Sequence, residues 1–294
     1  MRLLLVALVA LAGLLPARAA TFYVTVAGLG GTPDYVQRYT AAADTLNAIF
    51  KQNAPAEDVF TLTGAAATRA DLNQTLAQVA AAAHAIDDFV LILIGHGTYD
   101  GVEYKFNLVG PDITASELAR LCERIRARRQ LVVLTTECSG AAVSVLASPI
   151  RGVLAATKTG MEKNATVFAR YFVQGLQDPT ADLNKDQVIS AIEAFRFAQR
   201  RVADYYKTQQ RLATEHASSS ADRLLTDIPL VRFGAIQRAY ANPANHALLA
   251  RKEELERQID ALNYRKDSLA DDDYKTQMTA LLLALAKIDK ELRP

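Results

Sequence analysis

The chain has 294 residues, half of them hydrophobic, and sets 33 Lys and Arg against 32 Asp and Glu for a formal charge of +1. That length and apolar content are enough for one large α/β domain, or a domain with an appendage, around a substantial core. Near-neutrality without a basic block excludes the phosphate-tracking surface of a nucleic-acid binder.

At the start, Arg2 is followed by an apolar stretch from Leu3 to Leu15 and then by Ala17-Arg18-Ala19, a small-x-small cleavage pattern. Residues 1–19 therefore read as a secretory signal peptide, which predicts a secreted or periplasmic protein. The apolar core is shorter than the roughly 20 residues a membrane-spanning helix needs, so no membrane span is expected once the leader is gone. Loss of Arg2 and Arg18 takes the formal charge from +1 to −1.

Thr21 to Val26 is a β-branched and aromatic run ending in Ala27-Gly28-Leu29-Gly30-Gly31, and Tyr35 to Phe50 reads as a helix. Position 33 is Pro, so the third glycine of a dinucleotide-binding loop is missing. Asp58 to Leu62 gives a second strand, and Thr68 to Ile86 a helix with Leu72, Leu76 and Val79 on one face. Phe89 to Ile94 is a continuous apolar run, the pattern of a parallel strand buried on both faces. Thr114 and Glu117 form a capping box ahead of a helix carrying Leu118, Leu121, Cys122 and Ile125. Leu131 to Thr135 and Gly152 to Thr157 are further strands, and Asn164 to Gly175 and Ile189 to His216 are helices. The alternation predicts an α/β fold with a mainly parallel sheet flanked by helices.

After residue 217 the pattern changes. Residues 218–245 read as an irregular polar linker, and 246–294 as a C-terminal antiparallel helical hairpin. Its apolar positions, Leu255, Ile259, Leu262 and Leu269, then Tyr274, Met278, Leu281, Leu285, Ile288 and Leu292, alternate at spacings of four and three, as in a coiled-coil seam. Such a hairpin is a packing element, a site for a protein partner, or a means of self-association.

Two strands run directly into reactive residues: Phe89 to Ile94 into Gly95-His96-Gly97, and Leu131 to Thr135 into Thr136-Glu137-Cys138-Ser139-Gly140. In open parallel sheets catalytic groups gather outside the carboxyl ends of the strands. A thiol and an imidazole there can act as nucleophile and base although 42 positions (138 − 96) separate them. The flanking glycines leave room for a substrate backbone and peptide N–H groups for an oxyanion.

A strand ending in His-Gly, followed by a strand ending in x-Cys-x-Gly, resembles the signature of the cysteine peptidase clan of caspases, legumains and gingipains, and here its bacterial legumain-type branch. The resemblance runs from about Thr21 to Phe172. It includes Tyr104-Lys105-Phe106-Asn107-Leu108 after the His and Ala155-Ala156-Thr157-Lys158-Thr159-Gly160 after the Cys. It implies a caspase-like catalytic domain over residues 20–217 and a peptide or protein substrate. It further implies attack by Cys138, protonation of the departing amine by His96, and an oxyanion hole from the N–H groups of Gly97 and Cys138. Glu137, Ser139, Lys158 and Asp100 are candidate substrate contacts. Lys158 favours an acidic P1 residue, Asp100 a basic one, and the legumain likeness Asn. Thr136 stands where legumains carry Glu, and no counterpart of the Asn that supports their His is evident. The only two cysteines, Cys122 and Cys138, leave a disulfide as the alternative fate of the thiol.

Residues 182–193 align with the ligand positions of an EF-hand loop: Asp182, Asn184 and Asp186 at 1, 3 and 5, the Val188 carbonyl at 7, Ser190 at 9 and Glu193 at 12. Hard oxygen donors at this spacing suit Ca²⁺. Gln187 stands where the loop favours Gly and must take a left-handed conformation. A capped helix start is the competing reading. Two functional classes thus remain: a calcium-assisted cysteine peptidase, and an idle caspase-like scaffold that binds a partner through its hairpin.

Overall fold

The computed structural model describes residues 19–292. The predicted leader therefore lies outside the described residues except for Ala19. Among those residues no helix is long and apolar enough to cross a membrane.

The first half alternates strand and helix: β1 (Thr21–Ala27), α1 (Pro33–Lys51), β2 (Val59–Leu62), α2 (Arg69–Ala82) and β3 (Asp88–Ile94). A small antiparallel excursion follows, β4 (Gly97–Tyr99), β5 (Tyr104–Phe106) and β6 (Ile113–Thr114). Then come α3 (Ala115–Glu123), β7 (Arg129–Leu134), α4 (Val143–Leu146), β8 (Arg151–Ala155), α5 (Phe168–Gln177), β9 (Val188–Ser190) and α6 (Ala191–Thr208). The six-stranded main sheet has the order β10-β8-β7-β3-β1-β2, where β10 is Ser218–Ser220. All its pairings are parallel except β10 with β8.

The continuous apolar strands follow from burial on both faces. Tyr23, Val90, Ile92, Leu131, Val133 and Leu154 pack with α1, α5 and α6. Their alternate neighbours Phe22, Val24, Leu91, Leu93, Val132 and Leu134 pack with α2, α3 and α4. Tyr23 stacks on Phe50 at 4.0 Å between ring centroids, tying β1 to the end of α1. The Thr114–Glu117 capping box forms as expected, and α3 turns Cys122 into the core.

The segment 218–245 is structured, contrary to the linker reading. It supplies β10, α7 (Asp222–Thr226), β11 (Pro229–Arg232), which pairs antiparallel with β9, and α8 (Gly234–Ala241). Ala20–Arg238 forms one compact unit, so the first domain extends about 20 residues past the expected boundary at 217. The serines of β10 act through their hydroxyls, which a hydrophobic pattern does not register: Ser218 Oγ donates to the Thr157 carbonyl, and Ser220 Oγ accepts from Val153 N–H.

The second unit begins at Ala239 and contains α9 (His246–Tyr264) and α10 (Asp271–Leu292). Leu249, Leu255, Ile288 and Leu292 are buried together. Lys252 pairs with Asp289 at 2.8 Å near one end, and the Tyr274 hydroxyl donates to Asn263 at 2.7 Å near the other.

Candidate active site

β3 and β7 are adjacent and parallel, and their register pairs Leu93 with Leu134, an offset of 41 (134 − 93). Continued past the strand ends, that offset sets His96 beside Glu137, with Cys138 one residue further on. Accordingly His96 Nδ1 lies 2.7 Å from Glu137 Oε1. The start of α1 closes the other sides of the ring: the Tyr39 hydroxyl is 3.3 Å from Nε2, and Tyr35 packs edge-on at 4.6 Å between centroids. The hydrogen bond that the ring donates to Glu137 raises the His96 pKa above its usual 6.5, against the opposing effect of burial. The Gly30 carbonyl also favours the charged ring, while Arg38 opposes it.

Cys138 is in a left-handed conformation, φ 59°, and is only 2% exposed. Burial raises its thiol pKa, and the Glu137 charge adds to the rise; Lys163 and the N–H of Tyr99 work the other way. No hydrogen bond joins its sulfur to His96, whose ring is engaged by Glu137 and Tyr39. Both cysteines are free thiols, so the disulfide alternative is not the arrangement found.

The Cys138 N–H, expected in an oxyanion hole, instead donates to the Glu162 carbonyl at 2.9 Å. The loop that brings Glu162 there is tied down at several points. Its carboxylate pairs with His216 Nδ1 at 2.7 Å and accepts from the peptide N–H groups of Lys158 and His216. A Cβ at Gly160 would come within 2.4 Å of the Tyr99 ring.

The glycines flanking the pair serve internal packing. A Cβ on Gly97 would lie 2.6 Å from Thr136 Oγ1 and 2.7 Å from the Glu137 carbonyl, and one on Gly140 would lie 2.2 Å from the Lys158 peptide carbon. Side chains at both positions are excluded by the protein's own side-chain and backbone atoms.

Three of the four candidate substrate contacts are engaged elsewhere. Ser139 is fully buried, and its Oγ accepts from Thr157 N–H at 3.1 Å, stapling the loop after β7 to the end of β8. Asp100 is a turn residue: it accepts from the N–H groups of Val102 and Glu103 and pairs with Lys105 at 3.2 Å. These bonds hold its pKa down to about 2. Glu137 is the partner of His96. Lys158 keeps an exposed side chain, and so does Asp100 despite its turn bonds. Tyr35, Tyr39, Tyr99 and Glu162 belong to the site although their sequence context carries no catalytic motif. The available signal for the first two was their i, i+4 spacing on the helix that follows β1, the strand beside β3.

The acidic loop adopts the predicted turn: Lys185 and Gln187 are both left-handed, φ 65° and 67°. Its buried carboxylates are satisfied by peptide N–H groups, Asp182 from Lys185 and Gln187, and Glu193 from Leu183 and Ser190. Asp186 accepts from Val188 N–H and is bonded by the Asn184 amide. Ser190 and Glu193, not Asp182 or Asp186, close a capping box at the start of α6. Val188 and Ser190 also lie in β9. Among the described residues no three His, Cys, Asp or Glu side chains are grouped to hold a metal.

No family model matches the chain, and no curated protein matches it. Among solved structures it is similar in fold to protein GSU0716 from Geobacter sulfurreducens, at 15% identity over 73% of this chain and all of that one, with a TM-score of 0.50.

Proposed function

We propose that the chain is an exported cysteine endopeptidase with a caspase-like layout, in which Cys138 and His96 perform acyl transfer. The observation that carries this is their placement at the carboxyl ends of adjacent parallel strands, β3 and β7, where catalytic groups of such sheets collect. In the proposed reaction the Cys138 thiol gives its proton to His96 as its sulfur attacks the scissile carbonyl carbon, and the oxyanion is held by peptide N–H groups. The C–N bond then breaks as His96 delivers a proton to the departing amine, and water hydrolyses the thioester. Use of the Cys138 N–H in that step requires the Glu162 carbonyl to leave first, so the arrangement described is a closed one.

An acyloxymethyl ketone peptide tests the reading. Covalent labelling is expected to be lost in Cys138→Ala and slowed in His96→Ala. Absence of labelling in wild type supports the second reading, an idle scaffold whose C-terminal coiled-coil hairpin, 246–294, binds a partner or a second copy. That reading draws on the burial that raises the Cys138 thiol pKa and on the occupied Cys138 N–H.

The 182–193 loop is proposed to take up Ca²⁺, supported by its left-handed fourth and sixth residues and its two buried carboxylates. Binding would need Asp182 and Glu193 to exchange peptide N–H partners for the ion. Isothermal titration showing no heat with millimolar Ca²⁺ removes the idea.

A further inference from the structure

We infer that Glu137 is the positioning residue of His96: its carboxylate holds Nδ1 and so leaves Nε2 as the nitrogen through which protons pass. The inference rests on the peptidase reading for its reaction, but its geometry stands separately.

The β3–β7 register makes Glu137, not Cys138, the lateral neighbour of His96. The resulting contact is 2.7 Å between Nδ1 and Oε1, in the range of charge-assisted hydrogen bonds. Exposed ion pairs contribute little, but here the two side chains are only 24% and 14% exposed. A histidine between two glycines at a strand end has no neighbouring side chain in its own loop to restrict its ring. The restriction comes from outside β3, with Glu137 on Nδ1, the Tyr39 hydroxyl 3.3 Å from Nε2 and 3.5 Å from Nδ1, and the Tyr35 ring at the edge. An imidazole held at Nδ1 by a carboxylate has a defined tautomer when neutral and a stabilised charge when protonated, which are the two states proton transfer requires.

The charged groups around the ring are Glu137 from the end of β7 and, from α1, Arg38, whose guanidinium lies over Tyr35 at 4.4 Å and pairs with Asp34. Tyr35 and Tyr39 are the other ionisable neighbours.

The test is NMR titration of the His96 ring in wild type, Glu137→Gln and Glu137→Asp, paired with ketone inactivation kinetics. The Gln variant is expected to lower the His96 midpoint by about one unit or more, as loss of an adjacent opposite charge does. The Asp variant should retain part of the shift. Maximal inactivation rate should fall on the order of ten- to a hundredfold in the Gln variant, within what general acid–base catalysis supplies, with the inhibitor's half-saturation constant unchanged. An unmoved His96 midpoint overturns the inference. So does a raised half-saturation constant with an unchanged maximal rate, which would return Glu137 to substrate binding. Wild-type protein inert to the ketone defeats the peptidase reading and leaves the titration to decide on Glu137.

Discussion

The peptide N–H of Cys138 donates to the carbonyl of Glu162 at 2.9 Å, so the 158–163 loop occupies the N–H that the proposed oxyanion hole would use. Its outer fastening is the Glu162–His216 pair, with His216 itself mostly exposed at 59%. Replacing His216 by Ala removes the side-chain half of that fastening, leaving the peptide N–H bond, without touching the strand ends. Alkylation of Cys138 by iodoacetamide is expected to quicken severalfold in this variant, measured as a second-order rate at fixed pH. An unchanged or slower rate would mean that the loop does not gate the thiol.

The two thiols should behave differently. Burial pushes Cys122 up to about 11, and it sits on the core face of α3. Cys138 is also raised, chiefly by burial, so at neutral pH it is a thiol with less thiolate than a free cysteine. A thiol reagent should therefore titrate one cysteine per native chain, slowly at pH 7 and faster as pH rises past the ordinary thiol range, and a second only on unfolding. A rate plateau already reached at neutral pH would reveal an activated thiolate and contradict the buried-thiol description.

The strands that form the centre of the sheet were legible because burial on both faces forces unbroken apolar runs, as in β3 and β7. The His and Cys were legible because each interrupts such a run at its end. Their partners were not, since side-chain adjacency across parallel strands depends on register, and the 41-residue offset of β3 to β7 cannot be derived from either strand alone. Ser218–Ser220 was unreadable as a strand for a different reason: its edge position is held by hydroxyl bonds to β8 and its neighbouring loop, with no apolar face to produce a period. The requirement for a left-handed residue at position 187 was visible from loop chemistry, but the reason Gln occupies it was not.

That reason lies in α8. Gln187 Oε1 accepts from Ala235 N–H at 2.7 Å and from Ile236 N–H at 3.3 Å, capping the start of that helix from a distant loop. Gln187→Ala keeps the unfavourable φ of 67° and loses the cap, so it should destabilise by about 1 kcal/mol, the usual cost of a lost N-cap. Gln187→Gly also loses the cap but relieves a left-handed backbone that costs other residues roughly 1–2 kcal/mol, and should return close to wild type. Urea unfolding of both variants checks this. An Ala variant as stable as wild type would dismiss the capping role.

Glu215 and His96 both contribute to the pH dependence of stability, as does Asp186, which burial raises from its ordinary value. Glu215 is 2% exposed and accepts from the N–H groups of Val167 and Phe168 at the start of α5, yet burial still lifts its pKa from 4.5 to about 6. A folded pKa above the unfolded one means that protonation favours the native state. The contribution is fully present below 4.5 and is lost as pH rises through about 6. His96, raised above 6.5 by Glu137, has the same sign and loses its contribution at higher pH still. Asp100, Glu103, Glu117 and Asp178 have depressed pKa values and the opposite sign, so their contributions are lost as pH falls below the ordinary carboxylate range. The melting temperature should therefore climb as pH falls from 8 to 5 and decline below 4. Glu215→Gln should flatten the part of the rise centred near pH 6, while the part above it, belonging to His96, should disappear in Glu137→Gln. Thermal scans between pH 4 and 8 decide the point, and a melting temperature that rises from pH 5 to 8 would refute it.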